Sequence, residues 1–384
     1  MPRSEAPEPV ESPLLEDLLE AGGVAQEYHE VRLVRHFGDP RGEYRAATEG
    51  AAVFDRSHRT RLTVSGRAPR QMLDGVLTGV LPEPTRPGAE DVLHGTATYH
   101  AVLTPKGKMI SDAWVLLPGG EEEQGFLLDI PVAGRGSLLQ HLGKFLPPRF
   151  ARVTDVSSEW ASISVVGPNA AAELSELVLG SRVEPDELSE ATEGEWLRAG
   201  SEPDGLVVAR TGEVWPAAWT VYGPVREVRT LWRRLVEHGV TPAGLGVWST
   251  LRVEAGRPVF GTDMDERTLP PEAGIVDRAI DQTKGCYTGQ EVIVRIRDRG
   301  HVNRELRRLR LGEAPAPARG TELLPTDGSE KAVGEITCAV QSPRFGGALA
   351  MAYVRRGVER VRVGDVEVDV PKTFPESEEA ATVQ

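Results

Sequence analysis

The sequence predicts an α+β protein whose chain ends in a small β-barrel, and two observations carry this expectation. Between residues 43 and 303, runs with alternating apolar residues are interleaved with runs whose apolar residues recur every three or four positions, which is typical of mixed strands and helices. Between residues 304 and 374, only short alternating runs follow, separated by Gly or Pro, a pattern typical of a small barrel. A chain of 384 residues has room for two or three domains.

The N-terminal residues predict a disordered start and then one short helix. Residues 1–12 are rich in Pro, Glu and Ser, a composition typical of disorder. Ser12 and Pro13 are a favourable N-cap and first-turn pair, Gly22 and Gly23 stop the helix, and its apolar face consists of Leu14, Leu15, Leu18 and Leu19. We expect this helix to pack on the body of its own chain rather than on a partner.

The middle of the chain predicts two similar units. The first has, in order, a helix from residue 43 that runs into a turn near 55, a strand at 61–66, a helix at 68–78, strands at 97–104, 109–116 and 125–130, and a helix near 133–146. The second has a strand from 161, a helix at 168–179, strands near 206–211 and 218–222, and an amphipathic helix at 224–238. Both units contain a strand that ends in Gly and leads into a helix, which indicates a weak internal repeat.

A helix at 248–255 and the barrel strands follow. Gly256-Arg257-Pro258 must end that helix. The expected barrel strands are at residues 306–311, 333–337, 348–354, 360–363 and 366–370. Cys338 lies at the end of one of them, where we expect a structural role.

Composition and charge exclude several classes of protein. The formal net charge is −14, and half of the excess lies in residues 1–30, so the mildly acidic body gives no sign of nucleic-acid binding. No apolar run reaches the roughly 18 residues that a membrane helix needs, and the acidic N-terminus is unlike a secretory leader. We therefore expect a cytoplasmic protein without a membrane partner, and a monomer. The two cysteines, Cys286 and Cys338, fit no disulfide framework and no zinc pattern, although one bond between them stays open.

The most informative stretch is Lys284-Gly285-Cys286-Tyr287-Thr288-Gly289-Gln290-Glu291. Two glycines near the cysteine allow the backbone a positive φ or a close approach to a ligand. A neighbouring cation such as Lys284 lowers the pKa of a thiol. Cys286 is therefore a candidate nucleophile, redox thiol or metal ligand, and the alternative is a small buried side chain beside a turn. The varied polar residues around it favour a functional loop.

This stretch resembles the motif of a known family. The pattern K-G-C-Y-x-G-Q-E, preceded by R-V-E-A-G-R-P at 252–258 and P-E-A-G at 271–274, is similar to the folate-binding YgfZ group, which includes mitochondrial iron–sulfur assembly homologues. The group is related to the glycine-cleavage T-protein, an aminomethyltransferase that lacks the cysteine. The resemblance implies a three-lobed T-protein-like fold and tetrahydrofolate, or a one-carbon-substituted form of it, as cofactor. It also implies a role in iron–sulfur cluster assembly or repair, with client or assembly proteins as partners.

Asp112 is the candidate acid/base. It follows a glycine turn at 105–107, and the resemblance to the T-protein implies that an aspartate in this strand lies at the folate and exchanges protons with the reduced pterin. Ser111 stands where that family has a further aspartate. The alternative for Asp112 is a carboxylate that caps a backbone amide.

Two other departures from the T-protein pattern argue against glycine-cleavage activity. Residues 209–216 read A-R-T-G-E-V-W-P where that family has a G-Y-T-G-E loop, and Trp248-Ser249 replaces Arg-Asp. The loss of the arginine removes a bidentate partner for a carboxylate. Folate binding stays open, because Trp, Glu and backbone groups also provide stacking and hydrogen bonds.

Seven further residues are candidates for folate binding. We expect Glu254 and Glu272 to hold the amino-pyrimidine edge of the pterin, since a carboxylate accepts two parallel N–H bonds; the alternative is a plain surface charge. The other candidates are Arg252, Lys284, Tyr287, Gln290 and Glu291. Residues 291–310 carry seven arginines against three acids, a basic strip that attracts a polyglutamyl folate tail, a phosphate or an acidic partner. The same residues also fit an exposed strand face with apolar residues packed inward, and both can hold together.

These observations lead to one function and two alternatives. We expect a tetrahydrofolate-binding protein that supports iron–sulfur cluster assembly or repair through Cys286, acting as a redox thiol or a transient iron ligand, because one thiolate falls short of a stable cluster. The alternatives are a folate-dependent aminomethyltransferase with Asp112 as acid/base, and a non-catalytic folate sensor or scaffold. The expected domains are an acidic, partly disordered extension at 1–30, a folate-binding region of two lobes at 31–303, the barrel at 304–374 and a tail at 375–384.

Overall fold

The computed structural model describes residues 10–120, 125–200 and 205–374. Its helices are, in order, α1 (Leu15–Glu20), α2 (Pro40–Glu49), α3 (Pro69–Asp74), α4 (Arg135–Phe145), α5 (Ala170–Leu177), α6 (Pro185–Glu190), α7 (Val225–Glu237), α8 (Leu245–Glu254), α9 (Pro270–Ala273), α10 (Val276–Ala279) and α11 (Gln290–Arg299). Its strands are β1 (Val10–Glu11), β2 (Val24–Tyr28), β3 (Val31–His36), β4 (Ala52–Asp55), β5 (Thr60–Ser65), β6 (Arg86–Pro87), β7 (Val92–Leu103), β8 (Met109–Leu116), β9 (Phe126–Ile130), β10 (Arg152–Asp155), β11 (Trp160–Val166), β12 (Glu195–Ala199), β13 (Val207–Thr211), β14 (Ala218–Pro224), β15 (Thr241–Ala243), β16 (Arg304–Gly312), β17 (Glu322–Pro325), β18 (Gly334–Ser342), β19 (Gly347–Arg355), β20 (Arg360–Val363) and β21 (Val366–Asp369).

The N-terminal residues form a small sheet. Strand β1 pairs in parallel with β3, and β2 pairs with β3 in antiparallel fashion. The expectation of disorder over residues 1–12 is therefore wrong for residues 10–12, because the edge of β3 offers hydrogen-bonding groups that composition does not reveal. Residues 1–9 and the tail at 375–384 lie outside the described part of the chain.

Helix α1 packs on its own chain, as expected. Its apolar face shares one core cluster with α7, and this cluster includes Leu14, Leu15, Leu18, Leu231 and Trp232. The carboxylate of Asp17 pairs with Arg229 at 3.0 Å and also with Arg233. Apolar burial and ion pairing thus hold α1 against α7.

One large sheet runs through the body of the protein. Its strand order is β10-β5-β9-β8-β7-β12-β13-β14-β11-β4-β15, with β6 beside β7. The 12-residue strand β7 joins the two halves, since residues 92–96 pair with β12 and residues 97–103 pair with β8. The predicted strands and helices of this region are confirmed with displaced ends. One correction concerns residues 52–55, expected as the end of a helix that runs into a turn near 55. They form β4, because β11 and β15 pair with them.

The stretch after the cysteine loop forms a helix before it forms a strand. Residues 290–299 are helix α11, so the expected strand face is wrong there and correct only for β16. Ile293 is buried, and Val292 and Ile296 are half-buried beside it, which places the apolar residues on one helical face. Packing of this face outweighs the weak preference of β-branched residues for strands.

The C-terminal residues form a near-closed barrel of six strands in the order β16-β19-β18-β17-β20-β21. The sequence expectation lacked β17, which is only four residues long. Cys338 lies within β18 at an irregularity of the register, not at the end of a strand as expected. Throughout the described ranges, no helix is both long enough and apolar enough to cross a membrane.

Candidate functional site

Cys286 lies exposed on the loop between α10 and α11. The loop is tied to the segment after α3, because both the backbone N–H and the hydroxyl of Thr288 donate to the Gly75 carbonyl, at 3.0 and 3.2 Å. The side-chain amide of Gln290 lies 3.4 Å from the carbonyls of Lys284 and Gly285. An exposed thiol therefore sits on a loop whose backbone is fixed on both sides.

Lys284 anchors this loop. Its ammonium group donates to the carbonyls of Leu77 at 3.0 Å and Gly79 at 2.6 Å and pairs with Asp74 at 3.2 Å. The side chain is only 8% exposed, and burial lowers the pKa of Lys284. An ammonium group has three N–H bonds, and these three acceptors occupy them. Anchoring, rather than polarisation of the thiol, is the role that this geometry gives to Lys284.

The other polar residues of the cysteine motif lie in different surroundings. Tyr287 is buried in an apolar cluster with Ala279, Ile280 and Ile293, whereas Glu291 is exposed on α11. Within the described ranges, no group of three or more His, Cys, Asp or Glu side chains is arranged to hold a metal ion. The loop therefore presents a single sulfur.

Asp112 is buried in β8 and lies beside β7. The hydroxyl of Tyr99 donates to Asp112 Oδ2 at 2.8 Å. Among the described residues, no backbone amide donates to this carboxyl group, as the capping alternative would require. Desolvation raises the pKa of Asp112 to about 6, against the opposing effects of Arg59 and the Tyr99 hydrogen bond. A carboxyl group that titrates near neutral pH is suited to general acid/base work.

Buried charges surround Asp112. Arg59 pairs with Asp129 at 2.8 Å and lies 3.9 Å from Glu213. Burial opposes the charge on Glu213, but the guanidinium groups of Arg56 and Arg59 outweigh it and lower the pKa of Glu213. Glu213 is therefore ionised, and the centre of the large sheet holds fixed charges of both signs.

Arg278 extends this set of charges toward the surface. Its guanidinium carbon lies 4.4 Å from the centroid of the Tyr99 ring, and its Nη2 lies 2.5 Å from Glu193. Arg257 reaches the same carboxylate at 3.4 Å. Charged groups thus continue from the buried centre to the half-exposed Glu193. We call the set Asp112, Tyr99, Arg59, Glu213 and Arg278 the central cluster.

Two predicted folate-binding residues are engaged with the barrel. Arg252 pairs with Asp263 at 2.7 Å and lies 3.2 Å from the sulfur of Cys338. Glu272 accepts hydrogen bonds from the backbone N–H of Leu269 at 3.1 Å and from Arg304 at 3.3 Å. Both side chains therefore link the body to barrel residues.

Glu254 is engaged in the same way. Its carboxylate accepts hydrogen bonds from Tyr44 at 2.9 Å and from Ser342 of the barrel at 2.5 Å. Burial raises the pKa of Glu254, while these two hydrogen bonds lower it in part. The carboxylate oxygens that were expected to hold a pterin edge are thus occupied by the protein itself.

A cavity of about 30 Å³ adjoins the central cluster at Arg59. Trp248 and Arg56 also line it, and the guanidinium carbon of Arg56 lies 3.8 Å from the centroid of the Trp248 ring. A guanidinium group is therefore present at this place although position 248 carries a tryptophan. We call this space the central cavity.

The chemistry of the central cluster fits a pterin ring. Asp112 and Glu213 accept N–H bonds, and the buried Oδ1 of Asp129 has no hydrogen-bond partner among the described residues. The planar guanidinium of Arg278 over Tyr99 indicates that this ring face accepts a flat group. Ligand pockets commonly exceed roughly 300 Å³, so a ring that enters from the central cavity must displace side chains of its wall.

Sequence reasoning missed most of the central cluster. Residues 56–61 read R-S-H-R-T-R, which resembles a charged surface segment, yet every one of these side chains is buried. The usable signal in the sequence was the strand predicted at 61–66, which begins within this run. In the structure this strand, β5, pairs on both edges, with β9 and β10. Charged residues are buried beside such a strand only when ion-pair or hydrogen-bond partners are present in the interior.

Family models match nearly the whole chain. Residues 14–284 match the GCVT N-terminal domain, and residues 304–381 match the glycine cleavage T-protein C-terminal barrel domain. The crystal structure of the glycine cleavage system aminomethyltransferase T from Bartonella henselae has a TM-score of 0.76 at 19% identity, and the match covers 94% of this chain and 96% of that one. This likeness shows the T-protein fold that the sequence resemblance implied.

Two curated relatives are similar over most of their length. The aminomethyltransferase of Rubrobacter xylanophilus is 29% identical over 343 residues, which covers 89% of this chain and 86% of the relative. The aminomethyltransferase of Xanthomonas campestris pv. campestris is 29% identical over 339 residues, with 87% and 85% covered. Because the N-terminal family model alone spans more than half of the chain, this protein belongs to the GCVT family, the family of the glycine-cleavage T-protein.

Proposed function

We propose that this protein binds tetrahydrofolate at the central cluster and exchanges a proton with it through Asp112. Proteins of the GCVT family use tetrahydrofolate as substrate or cofactor. The observation that carries the proposal is the buried carboxyl group of Asp112, held by Tyr99 and with a pKa of about 6. Tetrahydrofolate supplies the reduced ring nitrogens that carry one-carbon units.

The residues of the central cluster have different roles in the proton exchange at Asp112. Tyr99 occupies Oδ2 of Asp112, whereas Oδ1 accepts no hydrogen bond from any described residue, so the proton moves at Oδ1. Burial opposes the ionised carboxylate, Arg59 favours it and Glu213 opposes it. The balance of these effects keeps the group able to take up and release a proton near neutral pH. Burial excludes water and strengthens these interactions.

Folate binding is tested by anaerobic calorimetry with tetrahydrofolate. We expect Asp112→Asn to weaken binding at least about tenfold, because a charge-assisted hydrogen bond is lost. The matched control is Asp365→Asn, an exposed turn residue of the barrel, which leaves the affinity unchanged. Equal affinities of all three proteins would place the folate elsewhere and refute the role of Asp112.

Aminomethyl transfer is the first candidate reaction, because the two curated relatives are both named aminomethyltransferases. The departures at Ser111, within residues 209–216 and at Trp248 oppose it, so turnover is the deciding measurement. Formation of the one-carbon-substituted folate from an aminomethyl-loaded lipoyl carrier protein is followed for the wild type and Asp112→Asn. We expect Asp112→Asn to lower kcat by about a hundredfold. Tight folate binding without turnover would exclude aminomethyl transfer but not the proposed folate binding.

Support of iron–sulfur proteins is the second candidate, and the exposed Cys286 on its fixed loop favours it. We expect Cys286→Ala to bind tetrahydrofolate normally and to fail to restore iron–sulfur enzyme activity in a strain without the chromosomal gene. Arg295→Gln, an exposed change on α11, serves as the matched control and restores activity. Full restoration of activity by Cys286→Ala would show that the sulfur of Cys286 has no role in this activity. Folate binding without either activity would leave a folate sensor or scaffold.

A further inference from the structure

Among the described residues, the charged side chains that line the central cavity are all arginines, namely Arg56, Arg59 and Arg252. His58 and the partly exposed His29 also line it, and burial lowers the pKa of both imidazoles. The carboxylates that balance these arginines do not line the cavity. Glu213 lies 3.5 Å from Arg56, Asp129 pairs with Arg59, and Asp263 pairs with Arg252. A ligand in the cavity therefore meets N–H groups and no carboxylate.

Two of these wall residues have polar atoms without a partner. Arg56 is 5% exposed and His58 is 9% exposed. Within the described part of the chain, Arg56 Nε and His58 Nδ1 are buried and make no hydrogen bond. The Arg56 Nε–H is a buried donor without an acceptor, which is costly. An acceptor placed in the cavity therefore stabilises the protein, and His58 also donates to it in the tautomer that carries the proton on Nδ1.

The remaining wall of the cavity is largely apolar. Trp248, Phe260 and Val132 line it, and the hairpin of β2 and β3 covers it with Tyr28 and His29. The hydroxyl of Tyr28 is 3.1 Å from that of Thr262, which ties the hairpin to the opposite side. The cavity thus offers cationic donors on one side and aromatic or aliphatic surface on the other.

We propose that the central cavity binds a short-chain carboxylate, with its carboxylate group at Arg56 and His58 and its carbon atoms against Trp248 and Phe260. The planar fork of a guanidinium matches a carboxylate. The cavity is small, about 30 Å³, which limits the ligand to a carboxylate with a short carbon chain. The site adjoins the central cluster at Arg59, and its occupation does not require folate.

The test uses the full chain without folate in chloride-free buffer. Formate, acetate and propionate are titrated, with sulfate and phosphate as comparison anions, and tryptophan fluorescence is followed because Trp248 lies directly under Arg56. We expect a saturable change and a higher melting temperature with a carboxylate. Arg56→Gln is expected to weaken this binding at least about tenfold. Arg226→Gln, whose side chain is 92% exposed, is the matched control and binds as the wild type does.

A second variant guards against misfolding of Arg56→Gln. Ala133 is exposed and lines the cavity, so Ala133→Phe fills the space without removing a charge and is expected to abolish binding while the circular dichroism spectrum stays the same. The proposal is overturned by the absence of a saturable signal, by wild-type affinity in Ala133→Phe, or by tighter binding of sulfate or phosphate than of every carboxylate. Because folate is absent throughout, failure here leaves the folate-binding experiment unaffected.

Discussion

Replacement of Asp112 by Asn is expected to change the free energy of unfolding in a pH-dependent way. Desolvation raises the pKa of Asp112 from its ordinary value of 3.8 to about 6 in the folded protein. Between these values the folded state binds more protons at this group than the unfolded state, so the stability of the wild type falls as the pH rises through this window. Because Asn does not titrate, the stability of the variant does not fall with rising pH at this position.

The magnitude follows from the size of the shift. A rise of about two pKa units corresponds to about 3 kcal/mol in all, of which about 2 kcal/mol falls between about pH 4.5 and about pH 7.5. The variant also loses its interactions with Arg59 and Tyr99, which shifts its free energy of unfolding at both pH values. The stability difference between variant and wild type is therefore compared at the two pH values, and its change reports the titration of Asp112. The advantage of Asp112→Asn over the wild type therefore grows by about 2 kcal/mol on going to the higher pH.

Urea unfolding of the wild type, Asp112→Asn and Asp365→Asn at both pH values measures this change. The exposed Asp365 controls for the loss of one negative charge, and its variant is expected to follow the wild type. Tyr99→Phe adds an internal check, because loss of the hydrogen bond that lowers the pKa of Asp112 moves the titration to higher pH. A stability difference between Asp112→Asn and the wild type that stays constant, or shrinks as the pH rises, would refute the reasoning.

Three other predictions concern the loop and the barrel contacts. Lys284→Met removes the donor to Leu77 and Gly79, so we expect faster amide hydrogen exchange at 284–289 and about 2 kcal/mol lower stability, with unchanged exchange rates as the contrary result. Glu272→Ala loses the bonds from Leu269 and Arg304 and is expected to cost about 1 kcal/mol in urea unfolding, whereas the exposed Glu359→Ala costs nothing measurable. Burial raises the pKa of the Cys338 thiol to about 12, so a disulfide reagent at neutral pH should modify one thiol, Cys286, in the native protein and both in denaturant; two fast-reacting native thiols would contradict this.

The comparison of sequence with structure is clearest for residues 290–312. The alternation of Val292, Val294 and Ile296 resembles a strand. Val292, Ile293 and Ile296 also fit one helical face, and only packing around Ile293 distinguishes the two. Residues 304–312 show a similar alternation and do form a strand, because β19 pairs with them along their length. Local patterns therefore predicted where the elements lie. They distinguished helix from strand less well where the apolar residues fit both the helical and the strand periodicity.

The candidate site shows the same division. The sequence located Asp112 through its glycine turn and Cys286 through its motif, since both signals are carried by neighbours in the chain. It assigned Glu254 and Glu272 to a ligand, whereas Tyr44, Ser342 and Arg304 take up their carboxylates. A carboxylate near a helix end looks the same in sequence whether its partner is a ligand or a distant strand.

The sequence by itself determined the α+β class, the C-terminal barrel and the resemblance to the T-protein group, because periodicity and short motifs depend only on residues close together in the chain. The tertiary structure alone decided which charges share the interior. Arg59 meets Asp129 across 70 positions of sequence, and Tyr222 reaches the same carboxylate across 93. Such contacts form only when separate strands are brought side by side, so a run that looks like solvated surface becomes the buried lining of a cavity.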